Sequence, residues 1–241
     1  MSKTIGRFEP TPSRSPEECE RHYTEVHVRM AQDMLRPMAG LRSYHINRAL
    51  SQADVAGGWA QRPRAWRFVI LRFKPGETLA FTPEQNEMVA QDHVNCLYRL
   101  RHCGVEENVV FDRTSGQLAL AKFLIEADRA PGTTAEQGRE AFAALTERVR
   151  ETIEGAFGAR RLIVNQALNE LECEPVEVEG QRPIGLLPET LRLGYIEVYF
   201  DHRRWGEEAL GTLAGDGTLH DPAMDRVNLL HVEELAALDV S

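Results

Sequence analysis

Two stretches of this 241-residue chain match one another in register. Gly40-Leu41-Arg42-Ser43-Tyr44-His45-Ile46-Asn47-Arg48-Ala49-Leu50 resembles Gly158-Ala159-Arg160-Arg161-Leu162-Ile163-Val164-Asn165-Gln166-Ala167-Leu168 at an offset of 118. Farther on, Gln61-Arg62-Pro63 matches Gln181-Arg182-Pro183 at an offset of 120. A fixed period of this kind is the mark of a repeated structural unit, and it constrains the fold more than any composition does.

Helix start signals fall at the same interval. Ser15-Pro16-Glu17-Glu18 reads as a capping box with proline in the first turn, and Thr133-Thr134-Ala135-Glu136 repeats the form 118 residues later. Thr82-Pro83-Glu84-Gln85 opens another helix, expected over Pro83–Leu100, and its counterpart is expected around Arg203–Leu213. Between them, alternation and β-branched or aromatic content predict strands near 4–8, 41–50, 65–73, 105–111, 117–126, 160–168, 191–200 and 227–235. Long Gly-, Pro- and charge-rich loops are expected over 51–64 and 169–190. Each half thus reads β-α-β-β-α-β, the ferredoxin-like unit, with the units at 1–113 and 114–241. A four-stranded sheet with helices on one face leaves the other face bare. Two such units bury their bare faces together as one α+β barrel with helices outside. The barrel interior is then expected to be the pocket.

Composition narrows the function classes. No apolar run approaches the roughly 20 residues of a membrane helix, and the first residues lack the apolar stretch of a secretory signal. A cytoplasmic protein is expected. The net charge of -9, with scattered Lys and Arg, argues against a nucleic-acid partner. Cys19, Cys96, Cys103 and Cys173 form no CxxC pair, and no His lies at finger spacing, so no metal site is expected and the cysteines read as free thiols. There is no P-loop, nucleophile elbow or HExxH motif.

The main candidate for chemistry is His27. It lies in a helix expected from Pro16 to about Arg36, beside Tyr23 and Val26 on the apolar stripe Cys19, Tyr23, Val26, Met30, Met34. The repeat sharpens the point, because the equivalent positions of His27 and Tyr23 are Leu145 and Ala141. An imidazole on an apolar face requires a partner. Tyr23, one turn earlier, is one option. A purely structural histidine bonded to backbone is the other. The run Ser15-Pro16-Glu17-Glu18 through Tyr23 and His27, then Pro37-Met38-Ala39-Gly40-Leu41-Arg42-Ser43-Tyr44, resembles the EthD family of the dimeric α+β barrel superfamily. Cys19 departs from that family's aromatic position, and Met38-Ala39 interrupts its Pro-Gly. The resemblance implies an enzyme acting on a small aromatic or oxidised molecule, with His27 and Tyr23 as candidate catalytic residues.

Strand parity adds a second region. In the 191–200 strand, Leu193, Tyr195, Glu197 and Tyr199 form one row, read as inward, and Arg192, Gly194, Ile196, Val198 and Phe200 the other. His231 shares a row with Leu229 and Glu233, so Glu197 and His231 could form an inner proton-transfer wall; a solvated or Arg-paired Glu197 is the alternative. Trp66, Phe68, Ile70 and Arg72 form another row. Tyr44, Trp66, Tyr195 and Tyr199 are the candidate substrate contacts. Asp92-His93 reads as a solvated helix pair. The expected function is a cofactor-independent small-molecule lyase, cyclase, isomerase or monooxygenase. The alternatives are a non-catalytic binding protein, or a haem protein with His231 as axial ligand. A homodimer is compatible with either.

Overall fold

The computed structural model describes residues 2–54, 57–61, 65–115, 119–171, 185–186, 192–217 and 219–239. Cys173, the Gln181-Arg182-Pro183 match and most of the second long loop lie outside these residues. The first half runs β1 (Ser2–Pro10), α1 (Pro16–His22), a π-helical turn (Tyr23–His27), α2 (Val28–Leu35), β2 (Leu41–Ala53), the two-residue β3 (Trp59–Ala60), β4 (Arg67–Phe73), α3 (Pro83–His93) and β5 (Leu97–Asp112). The second half runs β6 (Ala121–Arg129), α4 (Ala135–Glu154), β7 (Ala159–Leu171), β8 (Gly185–Leu186), β9 (Arg192–Phe200), α5 (Arg203–Gly215) and β10 (Met224–Asp239). All eight expected strands are present.

The long strands close on themselves. Within the first half the order is β2-β4-β1-β5, and within the second β10-β6-β9-β7. Antiparallel seams β2–β10 and β5–β7 join the halves into an eight-stranded barrel. The helices cover the outside. Phe123, Ile125, Ile196, Val198 and Phe200 pack against α4 and α5 residues such as Phe142, Leu145 and Leu210. Phe8, Tyr44, Val69, Leu71 and Leu100 pack under the first-half helices. Facing inward, Ile5, Phe68, Ile70, Val105, Leu124, Tyr195, Leu230 and Val232 form a separate cluster.

Alternation along β1 shows how the interior is layered. Lys3, Ile5 and Arg7 point inward, all buried, and Lys122, Leu124 and Glu126 on β6 repeat the order. The apolar side chains make a middle layer, with a layer of ion pairs on each side. Eight strands enclose a space that side chains alone can fill. The interior is therefore occupied by packed and charge-paired side chains. Among the described residues, these side chains take the place of the interior pocket expected from the sequence.

Local departures have local causes. The capping boxes at Ser15/Glu18 and Thr82/Gln85 form as expected. In the second half the cap is Thr134 with Gln137, one residue later than the offset suggests. Helix α3 ends at His93, not Leu100, because the Asn95 and Cys96 amides donate to the Asp92 and His93 carbonyls and turn the chain into β5. In β9 a bulge pairs Asp128 with Arg192 and Ala127 with Gly194, skipping Leu193. That extra residue puts Arg192 inside and Leu193 under the helices, the reverse of simple parity.

Candidate active site

The first-half helix places its candidate residues in a π-helical turn. The Val28 amide donates to the Tyr23 carbonyl, an i to i+5 bond that widens the turn. Single π turns inside α-helices are often found at functional sites. The wide turn lets burial advance in steps of four, so Cys19, Tyr23 and His27 all face the sheet. Val26, expected on the buried stripe, is swung out to 47% exposure.

His27 is buried, and its partner is Asp92, on α3. His27 Nδ1 lies 2.6 Å from Asp92 Oδ2, and His22 Nε2 lies 2.8 Å from Asp92 Oδ1. Asp92 and His93 are both 8% exposed, which corrects the solvated pair expected from sequence. Burial pushes the Asp92 carboxyl up, but hydrogen bonds from His27 and His22 outweigh it and the group is held below its ordinary range. The His93 ring centroid is 5.1 Å from that of His27. Burial, with His27 beside it, holds His93 well below the usual imidazole range. His102, on β5, is pushed down to about 4 by burial. At neutral pH both are therefore uncharged rings, able to donate from one nitrogen and accept at the other.

His27, His93 and His102 line a cavity of about 60 Å³ between α2, α3 and the outer face of the sheet. His27, His93 and His102 supply its polar surface, while Met30, Met34, Leu79 and Phe81 are among its apolar walls. Gly6 makes the floor possible. A β-carbon there would stand 2.7 Å from both the His102 ring and Val69, so only glycine lets the imidazole lie over β1. Tyr44 lines the cavity, and its phenol is pushed up to about 12 by burial. Tyr23 is fully buried, with its ring 4.7 Å from that of His27. It stacks under the Arg67 guanidinium at 4.3 Å and packs edge-on to Trp66 at 5.3 Å. Tyr23 is thus a neighbour of His27 rather than its hydrogen-bond partner.

Tyr195, Glu197 and Tyr199 lie in the barrel interior, as their row implied. There Glu197 accepts from Lys3 at 2.5 Å, Lys122 at 2.8 Å, Asn165 at 3.1 Å and the Tyr199 hydroxyl at 2.9 Å. Burial pushes the Glu197 carboxyl up, yet Lys122, Lys3 and Arg72 hold it well below its ordinary range. Arg72 pairs with Glu107 at 3.2 Å in the same layer. In the opposite layer Glu126 pairs with Arg192 at 2.9 Å and Arg7 at 3.1 Å, and accepts from Asn228 at 2.7 Å. His231 does not join Glu197. It projects to the outer face under α5, with its ring 5.1 Å from Phe123, and the inner Glu197/His231 wall is corrected. The row shared with Leu229 holds, but it faces outward: Leu229 packs in the α4 and α5 cluster and His231 pairs with Phe123 on β6.

No family model and no curated protein matches the sequence. Solved structures do match. An anthrone oxidase-like protein aligns over 100% of this chain and 96% of its own, at 10% identity and a TM-score of 0.51. A monooxygenase candidate from Fusobacterium nucleatum aligns over 99% and 96% at 11% identity, with a TM-score of 0.49. The likeness to the anthrone oxidase-like protein shows the fold, an α+β barrel.

Within that fold the candidate groups are unevenly divided. Where the first half has Tyr23 and His27, α4 presents Ala141 and Leu145, buried in an apolar cluster with Phe142, Val149 and Ile153. The first-half cavity carries an imidazole backed by a carboxylate, the arrangement that fixes a ring and stabilises its protonated form. Asp92, His93 and His102 were missed from sequence because they are supplied by α3 and β5, remote from His27 in the chain. The available signal was Asp92-His93 itself, a polar pair at the end of a helix that must cover a sheet.

Proposed function

We propose that this chain is a cofactor-independent small-molecule enzyme whose first step removes a proton from carbon conjugated with a carbonyl or phenol. His27 is the base and Asp92 its positioning residue. The observation that carries this reading is the 2.6 Å bond from His27 Nδ1 to Asp92 at the wall of an otherwise largely apolar cavity. Neutral His93 and His102 offer donors to the oxygen on which negative charge collects. This first step is common to lyase, cyclase, isomerase and cofactor-free monooxygenase chemistry. The resemblance of residues 15–50 to the EthD family supports a small aromatic or oxidised substrate. The fold neighbour's name, anthrone oxidase-like, supports an enolisable aromatic ketone. For anthrone the balance is complete: His27 takes the ring C–H proton, the enolate adds dioxygen, and the hydroperoxide loses water to give the quinone. One oxygen atom enters the product and the other leaves as water.

A cavity of about 60 Å³ holds a few waters, not a fused-ring ligand. Substrate therefore requires the unbranched Met30 and Met34 side chains to rearrange, a motion methionine makes at little cost. A haem needs a slot several times larger than this cavity, and His231, the axial-ligand candidate, is not among the cavity's lining residues.

Oxygen uptake with anthrone and single-ring hydroquinones as probes tests the reading. His27→Gln should lower kcat by about 10²–10⁴-fold, the usual contribution of a positioned base, with Asp92→Asn less severe. Undiminished turnover in His27→Gln would refute it. Saturable probe binding without turnover in the wild type would favour the non-catalytic carrier, which the apolar lining also suits.

A further inference from the structure

Behind the His27–Asp92 pair, on the side away from the cavity, three side chains of different chemistry converge. We infer that His22, Asp92 and Cys96 form a binding site for a zinc-class divalent ion. His22 Nε2, an Asp92 carboxylate oxygen and Cys96 Sγ all lie within 4.8 Å of one another. Bonds of about 2.0–2.3 Å in a tetrahedron place ligand atoms between 3 and 4 Å apart, roughly this spread. The donor set, one imidazole, one carboxylate and one thiolate, suits a borderline ion such as Zn²⁺ or Co²⁺ and not a hard ion such as Mg²⁺.

The site is built into the fold. Asp92 and Cys96 come from one turn, pinned by the Asn95 and Cys96 amides donating to the Asp92 and His93 carbonyls. The Thr11 amide donates to the Cys96 carbonyl at 3.0 Å and fixes the turn against β1. His22 is the last residue of α1 and faces it. Cys96 is fully buried and Asp92 nearly so, whereas the His22 side chain is 18% exposed and gives the ion a way in. Three protein donors leave a fourth position for water, the pattern of an open site. Arg14, held on Asn95 Oδ1 at 2.8 Å, and Arg67 are the cations that oppose binding. A bound thiolate and carboxylate together neutralise a divalent ion. Binding replaces the Cys96 S–H bond by a metal–sulfur bond and releases one proton to water. Sequence spacing gave no hint of the site because its three ligands come from two separate segments.

The site sits one carboxylate away from His27, since the other Asp92 oxygen accepts from that ring. Its test does not depend on catalysis. Chelator-treated, reduced full-length protein is titrated with CoCl₂. One equivalent should produce a near-ultraviolet thiolate-to-cobalt band that Cys96→Ser abolishes. His22→Gln, at a partly exposed position that folding tolerates, should weaken affinity about tenfold or more, as even outer-shell changes do. The band should persist in His27→Gln, which separates this proposal from the catalytic one. Absence of a one-equivalent band, an equal band in Cys96→Ser, or unchanged affinity in His22→Gln would overturn it.

Discussion

The Gly6 position and the neutral imidazoles make the cavity a costly place to alter. Gly6→Ala forces the His102 ring or Val69 to move, because the new methyl would lie 2.7 Å from each. Overpacking of this kind typically costs about 1–3 kcal/mol, so a thermal melt of Gly6→Ala should fall clearly below wild type; an unchanged melt would contradict the packing described. The imidazoles also set a pH dependence. His102 titrates near 4 in the folded chain, against about 6.5 when unfolded. Between those values the unfolded chain binds a proton that the folded chain refuses. Stability from this group is therefore full above about pH 6.5 and falls as pH drops towards 4, and His93 acts in the same direction. His102→Gln should flatten the melt-versus-pH curve in that window. An equal slope in wild type and variant would show that His102 is not held neutral.

At the scale of the element, the capping boxes were legible because they are local: Ser15 with Glu18 and Thr82 with Gln85 lie three residues apart. The π turn was not. Apolar spacing alone put Val26 inside, and nothing in Tyr23-Thr24-Glu25-Val26-His27 announces the wider turn that exposes it. The early start of β5 was hidden for a related reason, since Leu97 and Leu100 fit a helical stripe as readily as a bulged strand. Bulges likewise reversed Arg192 and Leu193 in β9. Parity reads a strand correctly only until the first skipped residue. It succeeded for Tyr195, Glu197 and Tyr199, which lie between irregularities; it also kept His231 in a row with Leu229, but that row packs under the helices, a choice of face that parity does not make. Trp66, given to the Phe68–Ile70–Arg72 row, precedes β4 and packs on Tyr23 under the helices.

Across the whole molecule, two β-α-β-β-α-β runs close one barrel, and among the described residues its interior is filled by packed apolar side chains and paired charges. Each polar layer pairs buried cations with buried carboxylates. Breaking a buried pair by removing one partner typically costs about 3–5 kcal/mol, even where, as here, Lys3 also meets Glu107 and Lys122 also meets Glu234. Glu197→Gln leaves Lys3 and Lys122 without their shared carboxylate, so its melting temperature should drop by roughly 6–20 °C, at 2–4 °C per kcal/mol for a chain of this size. A melt within a degree of wild type would mean that the interior charges are not coupled as described. The fold was largely legible because eight alternating strands, with helix start signals between them, specify it. The site was half legible: His27 and Tyr23 stand out against Leu145 and Ala141, while their partners come from another element. The measurement that tests the central claim most directly sets the cavity against the interior. Turnover of an anthrone-type probe is compared in wild type, His27→Gln and Tyr199→Phe, the last removing an interior hydroxyl that bonds Glu197. The account predicts a loss of at least about a hundredfold in His27→Gln and near wild-type turnover in Tyr199→Phe. Full activity in His27→Gln with loss in Tyr199→Phe would place the chemistry inside the barrel and contradict it.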